Sequence, residues 1–252
     1  MPRDFDKRSC GEFARLLRNS HSAAALSGAG CSTNAGLNDF RGPGGLYNSG
    51  KYDPRKIFDI DEFLREPGYF YDFARDFIGK LENIKPTFTH CFFSELEKSG
   101  KLKGLITQNI DALHQMAGSL KVVELHGSFW TSRCMACARE YSYSQMLPKI
   151  LSSEVPRCGC GVVIKPDIVF YGEGVKRLGE AVKLACESDL FIIIGSSLEV
   201  YPAAALPDSA FGKIAIVNKG PVNIKQERVS LNVSDDLDDF FRAVADELKL
   251  VC

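Results

Sequence analysis

The chain has 252 residues, 45% hydrophobic and 25% charged, with 31 basic residues against 32 acidic and a formal net charge of −1. That length buries a sizeable core in one large domain or a domain with an insert, and the charge balance excludes a general basic field that would draw nucleic acid or anionic lipid. The opening MPRDFDKRSCGEF has no apolar signal-peptide core and no run approaches a membrane span. The nine cysteines, an odd number, point to a reducing compartment, here the cytoplasm, with some of them on metal.

In chain order, CGEFARLLRNS has a helical pattern and leads into AAALSGAG (Ala23–Gly30), a short apolar run ending in glycines. THCFFSELEKSG (Thr89–Gly100) is a second helix, stopped by a glycine C-cap signal, and it precedes GLITQNID (Gly104–Asp111). KVVELHG (Lys121–Gly127) follows. Then come the helical RLGEAVKLACES, the runs DLFIIIGSS (Asp189–Ser197) and KIAIVNKG (Lys213–Gly220), and a closing helix in LDDFFRAVADELKLV. Each apolar run breaks into small or polar residues at its carboxyl end. Strands buried on both faces read this way and belong to parallel sheets. The alternation predicts an α/β fold, a Rossmann-like doubly wound sheet, with ligands beyond the carboxyl ends of the strands.

Two stretches break the alternation and read as insertions that together form a smaller domain over the sheet edge. Residues 38–85 are loop-rich, then aromatic and helical; residues 130–165 hold four cysteines and weak strand signals. The expected division is therefore a large domain of residues 1–37, 86–129 and 166–252, a loop and helical module at 38–85, and a cysteine module at 130–165.

The stretch SGAGCSTNAGLNDFRGPGG begins where the first strand ends. Gly28 and Gly30 suit a phosphate-binding turn, in which a missing Cβ lets the backbone approach an anion at a helix N-terminus. Gly36 comes six residues after Gly30 rather than three, and the acidic residue expected at the end of the second strand is replaced by Gln108-Asn109-Ile110-Asp111. The glycines alone leave nucleotide binding and a plain tight turn both open; the displaced glycine and the missing acidic residue together disfavour an ordinary hydride-transfer dehydrogenase.

The cysteines are more specific. Cys134 and Cys137 form one close pair; Cys158 and Cys160, about twenty residues on, form another. Two such pairs match a tetrahedral four-cysteine zinc site, whose closed shell makes the metal structural. Cys10, Cys31, Cys91, Cys186 and Cys252 are scattered and read as small apolar residues.

Together SGAGCSTNAGLNDFRG, TQNIDALHQMAG, VVELHGSF, the two cysteine pairs, IKPDIVFYGE, GSSLEVYPAA and IVN resemble, in order and spacing, the sirtuins, NAD-dependent protein deacylases. The resemblance spans nearly the whole chain, so no dedicated targeting or partner segment is expected. Departures are Cys31 for the usual Ile or Val, Asn38 for Pro, a second cysteine pair one residue short, and a short segment after Glu173.

The resemblance implies that NAD, consumed as a co-substrate, meets an acetyl-lysine peptide in the cleft between the two domains. Gly28, Ala29 and Gly30 would line the pyrophosphate, and Asp39, Phe40 and Arg41 would lie over the nicotinamide ribose. Gln108, Asn109 and Asp111 would hold the ribose and the nicotinamide amide. Gly195, Ser196, Ser197, Asn218 and Lys219 would take phosphate and adenine ribose. Val169, Gly172 and Glu173 would bind the peptide backbone by strand addition. Zinc would sit on Cys134, Cys137, Cys158 and Cys160. A lone His126 in an apolar stretch reads by default as packed core; the resemblance instead makes it, with Asn109, catalytic, the imidazole serving as general base. His114 and His90 read as structural.

The implied products are nicotinamide, free lysine and O-acetyl-ADP-ribose. Counting from Pro67, the family's acyl-contacting positions fall at Ala74 and Phe77, both apolar, which implies acetyl rather than succinyl substrates. The chain is expected to act as a monomer on acetyl-lysine proteins or peptides, with no nucleic acid and no membrane partner. Two rivals are a protein ADP-ribosyltransferase using the same pocket and a zinc-ribbon binding module without catalysis. The second is opposed by the sparse basic residues of the cysteine segment.

Overall fold

The computed structural model describes residues 7–37, 50–81 and 83–252. Six parallel strands form the main sheet: β1 (Ala23–Ser27), β2 (Leu102–Thr107), β3 (Val122–Glu124), β7 (Leu190–Ile194), β8 (Lys213–Val217) and β9 (Val229–Val233). Their order is β3-β2-β1-β7-β8-β9. The chain walks outward from β1 in one direction and from β7 in the other. That makes β1/β7 the switch point of a doubly wound sheet, where a crevice opens at the carboxyl ends.

Period-two alternation explains why β1 and β7 are apolar throughout. Ala23 and Ala25 of β1, with Leu190, Ile192 and Ile194 of β7, face one core. Ala24, Leu26, Phe191 and Ile193 face the other. The first core is closed by α1 (Lys7–Asn19), α5 (Phe88–Lys98) and α10 (Leu237–Leu248); Phe13 of α1 meets Phe240 and Phe241 of α10 edge-on, both at 5.5 Å. The second is closed by α8 (Leu178–Cys186) and α9 (Leu206–Ser209) through Ala181, Ala185 and Leu206. Asp238, in the first turn of α10, accepts hydrogen bonds from the Phe88 and Thr89 amides at the start of α5, so the two helices are tied at their N-termini.

The expected strands and helices of the large sheet are present, and β9 is an addition. Its residues alternate between half-buried and exposed before Val233, as an edge strand does, so VSLNV shows no continuous apolar run to read.

The two inserted stretches share one aromatic core. The first supplies α2 (Pro54–Ile57), α3 (Ile60–Arg65) and α4 (Pro67–Leu81). The second supplies the antiparallel sheet β5-β4-β6, made of β4 (Gly127–Cys134), β5 (Glu140–Ser142) and β6 (Ile164–Ile168), with α7 (Tyr143–Ser152). Phe63, Phe70, Phe73 and Ala74 pack with Phe129, Ile164, Ile168 and Phe170. The Arg75 guanidinium donates to the carbonyls of Ile150 and Ser153 and so staples α4 to α7. The small sheet joins the large one at Gly127, where φ is +67° and a Cβ would fall 1.8 Å from the Asp167 carbonyl oxygen. No side chain fits there.

Candidate active site

A cleft of about 1530 Å³ runs along the carboxyl ends of the strands, between the large sheet and the aromatic module. Its floor is the crossing of the β1 and β7 tails. The Gly28 amide donates to Ile194 O at 3.0 Å and the Gly30 amide to Gly195 O at 2.9 Å. A Cβ on Gly28 would lie 2.7 Å from Gly195 O, and one on Gly30 2.7 Å from Gly195 Cα. These glycines are required first by contact between two strand tails; the bare backbone facing the cleft follows from it. The helix expected after β1 is a seven-residue 3₁₀ helix, Ala29–Ala35, and Gly36 ends it at φ +93°. That explains the displaced third glycine as a cap rather than a failed fingerprint.

The tail of β2 supplies a wired polar cluster. Gln108 Nε2 donates to Ser196 Oγ at 2.9 Å. Asn109 Nδ2 donates to Gly28 O and lies 3.2 Å from Ser32 Oγ, and the Ser32 hydroxyl donates to Asp111 Oδ2 at 2.6 Å. The Leu113 amide donates to the other Asp111 oxygen at 3.0 Å. Asn109 and Asp111 are buried, and these bonds hold them in place. Ser32 was not assigned a role from the sequence, although it stands two residues after Gly30 in the glycine stretch.

His126 stands at the end of the turn after β3, half-buried, and lines the cleft. Its Nδ1 lies 2.9 Å from the Gln108 carbonyl oxygen. A carbonyl can only accept, so Nδ1 carries the proton and Nε2 keeps its lone pair. Burial lowers the imidazole pKa below its ordinary value, against the smaller opposing effect of the Gln108 bond. The ring is therefore neutral at neutral pH, the state a general base needs. The other two buried histidines are wired differently. His90 Nδ1 accepts from the Thr87 amide and caps α5, and His114 Nε2 lies 2.9 Å from Ser27 Oγ. Both are fully buried and neither lines the cleft.

Val169, Gly172 and Glu173 also line the cleft, as do Glu199–Pro202. The amides of Val169, Phe170, Tyr171 and Glu173 are all used internally, toward His126 O, Glu173 Oε2, Phe58 O and Phe170 O. Among the described residues, the Val169 carbonyl and both backbone groups of Gly172 keep no partner. An incoming extended chain would find its hydrogen bonds there. The Glu173 carboxylate itself is turned inward, toward Lys165 and the Phe170 amide.

Phe58, Phe73, Phe77, Ile110 and Phe170 give the cleft an apolar lining, with Phe73 and Phe77 stacked at 5.6 Å. The acyl-facing assignment is corrected at one position. Phe77 faces the cleft, but Ala74 is fully buried in the aromatic core beneath it, and Phe73, Asp76 and Lys80 occupy the cleft face of α4. At the rim the Tyr52 hydroxyl donates to Asp76 Oδ2 at 2.8 Å, and Lys51 forms an ion pair with the same oxygen. Asn218 and Lys219, at the end of β8, and Asp235 and Asp236, after β9, line the opposite end; the last two went unnoticed with the edge strand they follow. The expected contacts Asp39, Phe40 and Arg41 lie outside the described residues.

Away from the cleft, the sulfurs of Cys134, Cys137, Cys158 and Cys160 all lie within 4.8 Å of one another. Three separations are 3.5, 3.6 and 3.8 Å. A tetrahedron with Zn–S bonds of about 2.3 Å has edges of about 3.8 Å, so the donor set fits one zinc ion. The short Cys158–Cys160 spacing is accommodated by a tight hairpin: the Gly161 amide donates to Cys158 O and the Cys158 amide to Val162 O. The Cys160 amide and the Tyr141 hydroxyl both donate to the Cys158 sulfur, an arrangement that suits a thiolate. Of the other cysteines, Cys10 and Cys31 are buried as expected, but Cys252 is exposed.

The Sir2 family model matches residues 28–202. An NAD-dependent protein deacetylase of Thermotoga maritima is 42% identical over 242 residues, covering 94% of this chain and 97% of the relative. A solved Sir2 structure with a deacetylated p53 peptide and 3′-O-acetyl ADP-ribose superposes with a TM-score of 0.89 at 40% identity, covering 95% of this chain and 98% of that one. A Sir2–p53 peptide–NAD⁺ complex gives 0.85 at 41% identity, over 94% and 97%.

Proposed function

The chain belongs to the Sir2 family, and from that premise we propose how its cleft performs the family's reaction. It is an NAD-dependent protein-lysine deacetylase that consumes NAD and releases nicotinamide and O-acetyl-ADP-ribose. Cys134, Cys137, Cys158 and Cys160 would hold one zinc ion, whose closed four-sulfur shell would fix the fold of the small sheet.

The observation that carries the residue-level reading is His126, neutral, fixed through Nδ1 and lining the cleft with Nε2 unprotonated. We assign it as the base that removes a proton from a ribose hydroxyl once nicotinamide has left. Asn109, held against the β1 tail, orients the ribose and the attacking acyl oxygen. Gln108 and Asp111 complete that pocket. The crossing of Gly28, Ala29 and Gly30 with Gly195 offers the pyrophosphate a backbone surface without side chains in the way, and Ser196, Ser197, Asn218 and Lys219 serve the adenosine half. The acetyl-lysine peptide docks as an added strand on Val169 and Gly172, and its acetyl group ends against Phe73, Phe77 and Ile110.

The large domain comprises residues 1–37, 86–129 and 166–252, with modules at 38–85 and 130–165, and the small sheet reaches from Gly127 to Ile168. No helix among the described residues is long and apolar enough to cross a membrane. We read a cytoplasmic setting from the cysteine usage, with four of the nine cysteines grouped as metal donors.

The test is mass spectrometry of an acetyl-lysine peptide incubated with the protein and NAD. Loss of the acetyl group with matching O-acetyl-ADP-ribose is expected. ADP-ribose gained by the peptide would instead identify a transferase using the same pocket.

A further inference from the structure

Lys165 is a lysine buried where an apolar residue would be expected. It lies on β6 and is 7% exposed. Its ammonium donates to Ile168 O at 2.6 Å and to Glu173 Oε2 at 2.8 Å, with Pro166 O at 3.5 Å, and it sits 4.0 Å from the centroid of the Phe170 ring. All three N–H donors and the face of the charge are thus satisfied within one short segment. Burying an ammonium is costly, and replacing a buried ion pair with apolar residues of similar size is often neutral or stabilising for a fold. Fold stability alone therefore gives little reason for the charge.

We propose that Lys165 is the positioning residue of the peptide-docking edge. Its ammonium ties Ile168, where β6 ends, to Glu173, where the loop turns back, and so fixes the course of the intervening Val169–Gly172. The carboxylate of Glu173 passes the restraint on, because the same oxygen accepts the Phe170 amide at 2.8 Å. One residue earlier, the Val169 amide donates to the carbonyl of His126 at 2.9 Å. The clamp thus sets the Val169 carbonyl and the Gly172 backbone, the groups left for a docked strand, at a fixed distance from the residue assigned as base. This rests on the reading of Val169 and Gly172 as the peptide edge.

The test compares the full-length protein with Lys165→Met, Lys165→Arg and Glu173→Gln. The measurements are anisotropy of a labelled acetyl-lysine peptide, KM for peptide and for NAD, kcat and thermal stability. Lys165→Met keeps the packing on Phe170 and loses the clamp. It should raise peptide Kd and KM by about tenfold or more, since small misplacements of binding groups have effects of this order, with NAD KM changed by less than about twofold. Lys165→Arg should recover most of the peptide affinity, which a purely structural role would not require. Folded Lys165→Met with wild-type peptide KM, or with reduced kcat at unchanged KM, overturns the proposal. If Lys165→Met does not fold, Glu173→Gln keeps the ammonium and its carbonyl bonds but removes the counter-charge. The same rise in peptide KM is then expected, and its absence overturns the clamp. Failure of the wild-type protein to bind the peptide would instead overturn the underlying reading of the loop.

Discussion

Acidification should destabilise this protein through a pair of buried histidines. His90 and His114 are both fully buried, with ring centroids 4.6 Å apart. His90 Nδ1 accepts the Thr87 amide, so Nε2 carries the proton and lacks a partner; His114 Nε2 bonds Ser27 Oγ, and its Nδ1 lacks one. A second proton on either ring would place a full charge in a dry site beside its neighbour. Burial accordingly pushes His90 down to about 4 and His114 well below its ordinary value, the latter helped by His90. The unfolded chain binds these protons near the ordinary histidine pKa of about 6.5. Native stability is therefore complete above about pH 7 and is lost as pH falls through 6.5 toward 4. For His90 alone the loss is about 2 kcal/mol at pH 5 and about 3 kcal/mol at pH 4. The first figure lowers Tm by about 4–8 °C in a domain of this size. His114 adds in the same direction. Thermal melts at pH 7.5, 6.5, 5.5 and 5 on the wild type and on His90→Gln measure it. Acid also displaces metal from cysteines, so the difference between the two proteins carries the result. The slope of Tm against pH should be shallower in His90→Gln; identical slopes would refute the argument.

Three other outcomes are expected. His126→Ala should keep NAD affinity and lose about 10²–10⁴ in deacetylation, and the acid limb of kcat/KM in the wild type should fall below pH 6.5 because burial lowers that imidazole; near-normal turnover in the variant would remove His126 as the base. Metal analysis should find one zinc per chain, and Cys134→Ser should give little folded protein because zinc binding and folding are coupled; a folded, active, zinc-free variant would contradict this. Acetyl-lysine should be processed about 10²-fold better than succinyl-lysine in kcat/KM. Phe73, Phe77 and Ile110 offer a carboxylate no partner, and the rim lysines Lys51 and Lys80 already lie beside Asp76; equal rates on one peptide in both forms would show that the acyl group lies elsewhere.

What the sequence by itself determined was local or periodic. The apolar runs of β1, β7 and β8 announced strands buried on both faces, and their polar tails announced the side on which chemistry gathers. Two cysteine pairs announced their metal by spacing, and His126 was legible as a polar residue at a strand end. The tertiary structure decided which distant groups meet. Gly28 and Gly30 read as a phosphate turn, yet their smallness is required by Gly195, more than 160 residues away in the chain. Ala74 and Phe73 are neighbours on one helix, and only packing against Phe129 and Ile164 sets which of them faces the cleft. β9 escaped notice because an edge strand half-open to water needs no continuous apolar run. Glu173 lines the cleft, and only the turn after β6 brings its carboxylate to the Lys165 ammonium. Periodicity records how deeply an element is buried, because burial acts on each residue separately. Partnership between side chains depends on the relative placement of whole elements, and no local stretch of sequence encodes that placement.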